Sequence, residues 1–257
     1  MASNDSVKKT ITVTLLLCIV CSVIVSTAAV LLRPAQIANK EIDFQRNVLS
    51  AAGLLKEGVS IEEQFEAVTT KIVDLRTGKF TDEYDPADFD QRKAAKNPVM
   101  SAEIGVASDI AGLGRIANFA EVYLIDDGEG GEILVLPVSG YGLWSTLYGF
   151  LALESDLNTV VGLGFYEHAE TPGLGGEVDN PSWKALWEDK KVYNEEGEVA
   201  LSVIKGKVGP QTSNPQFKID GLSGATLTSR GVDNMIEFWM GEGGFKPFLQ
   251  NLKNGEA

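Results

Sequence analysis

The chain begins with one long apolar run. Residues 11–32, "ITVTLLLCIVCSVIVSTAAVLL", contain no charged residue and follow Lys8 and Lys9. About 20 helical residues cross the hydrocarbon core of a bilayer, so this length predicts a single transmembrane helix. A cleavable signal peptide is the alternative, because Ser26-Thr27-Ala28 resembles a small-residue cleavage site, but the run is long for a signal peptide.

The charges around this run do not decide its orientation. Lys8 and Lys9 precede it, whereas Arg33, Lys40 and Arg46 follow it. The positive-inside count therefore does not favour an inside N-terminus, although a large following domain crosses a membrane regardless of such charges.

The chain has two cysteines, Cys18 and Cys21, and both lie in the apolar run. A redox or metal pair is one interpretation of this spacing. Packing of small residues against neighbouring helices is the other, and it is favoured because the run offers no further ligand. The run also lacks any carboxylate, so it does not by itself provide an oxygen-rich path for a cation.

After the run the pattern becomes helical but is interrupted by charges. One helix is predicted from about Pro34 to Leu55. A second begins at a capping box formed by Ser60 and Glu63. Its apolar positions follow at steps of three and four residues before Gly78, namely Ile61, Phe65, Val68, Ile72 and Leu75. Residues 81–98 are polar and rich in breakers, so residues 33–98 are predicted to form a helical stalk and an excursion.

From about Phe119 the period of the apolar positions changes to two. "FAEVYLIDDGEGGEILVLPV" predicts a β-hairpin around the turn at residues 126–131, whose carboxylates lack the spacing of an EF-hand. Strand-like runs follow at residues 139–155, 158–168 and 198–208, with a short helix at residues 181–190. A final helix has one apolar face before "GEGG", made by Val232, Met235, Ile236, Trp239 and Met240.

These elements predict an α+β fold in four parts. They are a tail at residues 1–10, a single N-terminal transmembrane helix at 11–32, the helical stalk and excursion at 33–98, and an antiparallel-sheet domain with flanking helices at 99–257.

Composition excludes several functions. The formal charge is −14, which argues against a nucleic-acid partner because phosphate binding depends on lysine and arginine. A zinc site is disfavoured because the chain has one histidine and no cysteine outside the apolar run, and no metal site is predicted. Gly173-Leu174-Gly175-Gly176 is not a dinucleotide fingerprint, since Val178 occupies the place of the third glycine. A hydrolase using Ser223 and His168 is a weak alternative, because Ala225 replaces the last glycine of a nucleophile elbow.

The stretch "DGLSGATLTSRG", residues 220–231, places four hydroxyl residues ahead of the final helix: Ser223, Thr226, Thr228 and Ser229. Such residues cap helix starts, but one cap requires only one of them. A phosphate is the other occupant that suits a helix start, because free amides and the helix dipole favour an anion there. The residues alone leave both interpretations open.

The same stretch resembles the D-x-x-S/T-G-A-T signature of the FMN-binding domains. The signature positions are Asp220, Ser223, Gly224, Ala225 and Thr226. In those domains the final threonine carries FMN through a phosphoester bond, so the resemblance implies covalent attachment of FMN at Thr226. A separate flavin transferase, which consumes FAD with magnesium, makes this bond.

Two longer stretches, residues 20–54 and 140–178, resemble the C subunits of the bacterial sodium-translocating NADH:quinone reductases. The resemblance implies a redox subunit of a translocase that is not catalytically complete alone. It would relay electrons between NADH and ubiquinone with five other subunits in the inner membrane as sodium is pumped. By the family's topology residues 1–10 would be cytoplasmic and the domain after Arg33 periplasmic.

Given this resemblance, "GYGLW" at residues 140–144 and "HAETPGLGGE" at 168–177 are candidate walls for the flavin ring. Trp144 would stack on it, and Glu170 and Thr171 would reach its heteroatoms. Basic residues would neutralise the phosphate, and Thr228 or Ser229 would cap the helix. The candidate FMN contacts are Leu143, Trp144, Glu170, Thr171, Gly173, Leu174, Gly175, Lys205, Lys207 and Thr228. The alternative roles are strand core for residues 140–144, a turn for residues 168–177 and surface charge for the lysines. His168 is expected to be structural.

Two other functions stay open. One is the equivalent flavin subunit of the related ferredoxin-linked Rnf electron-transport complex, although the long segment before Phe119 favours the quinone reductase. The other is a membrane-anchored assembly module without flavin, in which the hydroxyl-rich turn is only a helix cap.

Overall fold

The computed structural model describes residues 6–128 and 130–257. The chain divides into two compact units, Met1–Asp43 and Phe44–Ala257. Helix α1 spans Val7–Ala51. Residues 7–43 of this helix belong to the first unit, and its last eight residues belong to the second. Of the predicted tail, residues 1–5 lie outside the described residues.

Helix α1 contains the predicted apolar run. Its most apolar 18-residue window has a mean hydropathy of 2.8, and none of that window is buried. The helix is therefore long and apolar enough to cross a membrane, as the sequence predicted.

The second unit is built around a six-stranded antiparallel sheet. In chain order its helices are α2 (Ile61–Phe65), α3 (Gln91–Lys96), α4 (Pro181–Lys184), α5 (Thr226–Met240) and α6 (Lys246–Asn254). The strands are β1 (Val68–Asp74), β2 (Lys79–Thr81), β3 (Ser101–Glu103), β4 (Arg115–Ala117), β5 (Phe119–Asp126), β6 (Glu132–Tyr141), β7 (Thr146–Leu153), β8 (Val160–Glu167), β9 (Ser202–Val203) and β10 (Lys218–Ile219). The sheet order is β2-β1-β5-β6-β7-β8, and two-stranded pairs β3–β4 and β9–β10 lie outside it.

The prediction of one helix from Ile61 to Leu75 is wrong. The Ser60 cap is present, since Ser60 Oγ accepts from Glu63 N at 3.2 Å, but α2 ends at Phe65. Strand β1 follows and pairs with β5 along its whole length, from Val68 opposite Ile125 to Asp74 opposite Phe119. Its β-branched residues suit a pleated sheet. The sheet thus begins well before residue 99, inside the predicted stalk.

The later predictions of strands and helices are largely confirmed. The hairpin at residues 126–131 joins β5 and β6, and the helix predicted with the apolar face of Val232 to Met240 is α5. Helix α6 follows it and was not predicted. The run at residues 198–208 forms only the two-residue strand β9, which pairs in parallel with β10. Residues 139–155 form the end of β6, a turn and β7 rather than one strand.

Helix α5 lies on β6 through a face of residues spaced four apart. A Cβ atom on Gly140 would lie 2.7 Å from Met235 Cβ, so the glycine allows a close approach. Trp239 Nε1 donates to Ser139 O at 2.7 Å. Gly231 contacts the backbone at the end of β6. These contacts fix α5 along β6 and place its first turn beside the β6–β7 turn.

The turn between β7 and β8 offers a test by pH. Asp156 Oδ1 accepts from the amides of Asn158 and Thr159 at 2.9 and 2.7 Å. Burial raises the pKa of Asp156, but these bonds, the Thr159 hydroxyl and Lys191 outweigh burial and lower the pKa to about 2. Because the pKa is lower in the folded protein, the ionised carboxylate stabilises the fold at pH values above its unfolded-state pKa, which is near 4. This stabilisation is lost as the pH falls through the folded-state pKa of about 2.

Asp156→Asn should therefore cost at most about 1 kcal/mol at pH 6, because the carboxyl group is half exposed and screened. The difference in unfolding free energy between the two proteins should shrink toward zero near pH 2. Urea unfolding of both proteins from pH 6 to pH 2 measures this difference. A difference that stays constant over that range would contradict the assignment.

Candidate functional site

Thr226 is the first residue of α5 and is exposed. The N-cap is Ala225, and no side-chain oxygen of the described residues caps the helix there. Gly224 precedes it with φ +73°, a left-handed conformation that glycine adopts without strain. The Thr226 hydroxyl therefore stands at the positive end of the helix dipole, beside first-turn amides that have no cap.

The prediction that Thr228 or Ser229 caps this helix is wrong. Ser229 Oγ donates to Ala225 O at 3.0 Å and accepts from Leu222 N at 2.9 Å, so it binds the turn that precedes the helix. Thr228 is fully buried, and its hydroxyl donates to Glu170 Oε2 at 2.6 Å. Both hydroxyls therefore help to hold the turn in place, and neither accepts a hydrogen bond from an amide in the first turn of α5.

Asp220 joins the turn to the loop after β9. Its Oδ1 accepts from Val208 N at 2.7 Å, and its backbone O accepts from Trp183 Nε1 at 2.8 Å. Gly221 N donates to Gly206 O at 2.8 Å. The first signature residue therefore links the turn to the backbone of the loop after β9.

Lys205 and Lys207 are on this loop, and both are exposed. Within the part of the chain that the structure describes, neither has an ion pair or a side-chain hydrogen bond, and neither bonds to Thr226. The backbone bond between Gly221 and Gly206 places their loop beside the signature turn.

Glu170 lies in the middle of the site and is 5% exposed. Its Oε1 accepts from Leu143 N at 2.9 Å and Trp144 N at 3.0 Å, and its Oε2 accepts from the Thr228 hydroxyl. Burial raises the pKa of Glu170, but the bonds from Thr228 and the two amides hold it below its usual value. Glu170 is therefore an ionised carboxylate that links the β6–β7 turn to α5.

Two glycines let this carboxylate approach the backbone. A Cβ on Gly175 would lie 2.5 Å from Thr228 Oγ1 and 2.6 Å from Glu170 Oε2, and a Cβ on Gly142 would lie 2.6 Å from Glu170 Oε1. Sequence reasoning included Gly175 but missed Gly142. The signal for Gly142 was its place in "GYGLW", a stretch already considered as a wall of the site.

The loop at residues 171–175 packs against the signature turn. Thr171 is exposed, and its O accepts from Leu174 N at 3.1 Å and Gly176 N at 2.9 Å. Gly173 adopts φ +73° in this turn. Leu174 Cδ2 would lie 3.1 Å from a Cβ on Gly224. The structure thus brings together eight predicted residues: Leu143, Trp144, Glu170, Thr171, Gly173, Leu174, Gly175 and Thr228.

Large apolar side chains are exposed around Thr226. Trp144 is 64% exposed, Leu174 45% and Leu227 53%, and Leu143 is also exposed. Sequence reasoning missed Leu227, which occupies the position after the signature. Clustered apolar side chains on a surface indicate a place for a ligand or a partner.

His168 does not serve as a base for Ser223. Its Nε2 lies 2.7 Å from Asp179 Oδ2, and its Nδ1 accepts from Glu170 N at 3.2 Å. Because both ring nitrogens are occupied, the hydrolase alternative lacks its general base. His168 is structural, as predicted.

Known proteins match this chain over the site and over its whole length. The FMN-binding domain family matches residues 142–241. The C subunit of the Na⁺-translocating NADH-quinone reductase of Pseudomonas aeruginosa is 51% identical over 100% of both chains. The protein of the same name from Yersinia pestis is 45% identical over 98% of this chain and 96% of its own length.

Two crystal structures share the fold. NqrC of Shewanella oneidensis superposes with a TM-score of 0.78 at 39% identity, covering 84% of this chain and 99% of its own. The C subunit of the reductase from Parabacteroides distasonis has a TM-score of 0.66 at 26% identity, covering 85% of this chain and 96% of its own. The α+β fold and the FMN-binding domain predicted from the sequence are confirmed. The chain belongs to the NqrC family, the C subunits of the Na⁺-translocating NADH-quinone reductases.

Proposed function

We propose that this chain carries electrons within a Na⁺-translocating NADH:quinone reductase through an FMN joined to Thr226 by a phosphoester bond. The observation that supports this most directly is the position of Thr226. It is an exposed hydroxyl at an uncapped helix start, within a complete signature and beside exposed apolar side chains.

The residues of the site fit the two halves of FMN. The first-turn amides of α5 and the helix dipole suit a phosphate ester at Thr226. Trp144, Leu143, Leu174 and Leu227 offer an apolar surface for the flavin ring. Lys205 and Lys207 lie on the neighbouring loop, where they add positive charge at longer range.

Attachment requires a second protein, a flavin transferase that uses FAD and magnesium. The Thr226 oxygen attacks the phosphorus on the flavin side of the FAD pyrophosphate, and its proton passes to a base. One oxygen–phosphorus bond forms, the pyrophosphate bond breaks, and AMP leaves. Thr226 meets the first requirement for this reaction because its side chain is exposed.

FMN, when bound, supplies one- and two-electron transfer. The chain supplies position and surroundings, with Glu170, Thr228 and the close-packed glycines fixing the wall of the site. Electrons would enter from NADH oxidised at one of five other subunits and leave toward ubiquinone at another. The relatives with this name align over nearly their full length, which favours this complex over the ferredoxin-linked one.

Helix α1 would anchor the chain once in the inner membrane. In this arrangement residues 1–10 are cytoplasmic and the domain after Arg33 is periplasmic. The length and apolar character of α1 support the anchor.

Expression of the full chain with and without a flavin transferase tests the proposal. Only the first sample should give a flavin-fluorescent band after denaturing electrophoresis, with a mass increase equal to FMN minus water. An unlabelled band in both samples would favour the assembly module. Sodium-stimulated quinone reduction by the purified complex would then separate this reductase from the ferredoxin-linked complex.

A further inference from the structure

The Glu170 carboxylate lies behind the residues that surround Thr226, where a ligand has almost no access to it. Its Oε1 accepts two backbone amides, from Leu143 and Trp144, which uses both lone pairs of that oxygen. Its Oε2 accepts from Thr228 and lies against Gly175. This geometry does not suit the ring contact that the sequence suggested for Glu170.

The charge of Glu170 is held by neutral donors alone. Among the described residues, no lysine or arginine forms an ion pair with it. Its hydrogen bonds come from backbone amides and one hydroxyl. The nearby His168 accepts from the Glu170 amide, and its other ring nitrogen pairs with Asp179. Dipoles stabilise a carboxylate without cancelling its charge, so its field extends into the surrounding site.

We propose that Glu170 is a positioning residue whose fixed negative charge lowers the reduction potential of the flavin held at Thr226. This inference rests on the proposed attachment. Each electron added to the ring adds negative charge unless a proton from solvent accompanies it. A buried carboxylate nearby opposes that charge, and a partly dry site screens it weakly. Glu170 is held close to the attachment point, since it binds Thr228, two residues after Thr226, and the amides of Leu143 and Trp144.

Glu170→Gln removes the charge and keeps the shape. The glutamine oxygen can accept from the two amides, and its NH₂ group can donate to the Thr228 hydroxyl after that hydroxyl rotates. The full chain with covalent flavin is titrated with sodium dithionite and ferricyanide, and flavin absorbance is followed against measured potential. At the wild-type midpoint, the ratio of reduced to oxidised flavin should rise about tenfold, about 59 mV for one electron.

Thr228→Val is the second variant, and it predicts the opposite sign. Valine keeps the charge of Glu170 but removes the hydroxyl dipole that offsets it, so the midpoint should fall. A purely structural role predicts shifts of the same sign, since both variants alter the Glu170–Thr228 contact. Asp233→Asn is the matched control, because Asp233 is a partly buried carboxylate on α5 that does not bind Glu170 or Thr228. Its Oδ1 accepts from Val203 N at 2.7 Å. In this variant the ratio of reduced to oxidised flavin at the wild-type midpoint should change by no more than about twofold.

Three results would overturn the proposal. They are an unchanged midpoint in Glu170→Gln, an upward shift in Thr228→Val, or loss of flavin from Glu170→Gln while Thr228→Val keeps it. The last would mean that Glu170 serves attachment and not the potential. If Glu170→Gln does not fold, the fall expected in Thr228→Val decides the question. Wild-type chain without band fluorescence would instead reject the attachment itself.

Discussion

Thr226→Ala is expected to abolish covalent flavin and leave the domain folded. The change removes the only atom of residue 226 that can form the phosphoester. Because the side chain is exposed and Ala225, not Thr226, is the N-cap, the free energy of unfolding should change by no more than about 0.5 kcal/mol. A helix-cap role predicts a larger loss, about 1 kcal/mol. Denaturing electrophoresis measures the flavin, and urea unfolding of chains made without the transferase measures stability.

Thr226→Ser provides the matched control because it retains a hydroxyl on the same backbone. It should keep measurable band fluorescence when expressed with the transferase. Fluorescence that persists in Thr226→Ala would move the attachment to another hydroxyl, and exposed Ser223 would then be the first to substitute.

The elements that the sequence predicted well are those with a local signal. The apolar run of α1, the turn at residues 126–131 and the apolar face of α5 each depend on neighbours within one or two turns of chain. The signature at Asp220 to Thr226 is equally local. The FMN assignment of this stretch depends on the family resemblance, because its residue types alone leave a helix cap and a bound phosphate both open.

Strand β1 was missed because its pairing is not local. Ser60 and Glu63 begin a real helix, and apolar residues continue at helical spacing past its end at Phe65. Pairing of Val68 with Ile125 decides the outcome, and nothing within the segment announces a partner 57 residues away. Burial of consecutive Ile72 and Val73, which point to opposite faces of the strand, shows that both faces are covered.

Contacts within the site were also missed where they join residues far apart in the chain. Glu170 and Thr228 were both predicted as FMN contacts, and Thr228 also as a helix cap. The structure instead joins them to each other across 58 residues. Residue types near a signature can therefore be chosen from sequence, but their partners depend on how α5 lies on β6.

That placement of α5 depends on Gly231. A Cβ there would overlap Tyr141 O and lie 2.9 Å from Gly142 Cα, and both are backbone atoms that no rotamer change can move. Gly231→Ala should therefore shift either α5 or the β6–β7 turn. Overpacking costs about 1–3 kcal/mol, and the better helix propensity of alanine returns about 1 kcal/mol. We expect a net loss of up to about 2 kcal/mol in the free energy of unfolding.

Gly231→Ala should also lower the amount of covalent flavin. The substituted position is five residues after Thr226 and directly against the turn that carries Leu143 and Trp144, so the acceptor and the apolar wall move relative to each other. Displacements of about 1 Å change reactivity by up to 100-fold, and covalent flavin should fall on the order of tenfold. Gly105→Ala is the matched control, because Gly105 is exposed and a Cβ there meets nothing within 4 Å. Equal band fluorescence and equal urea midpoints in the two variants would show that α5 does not need this close contact to present Thr226.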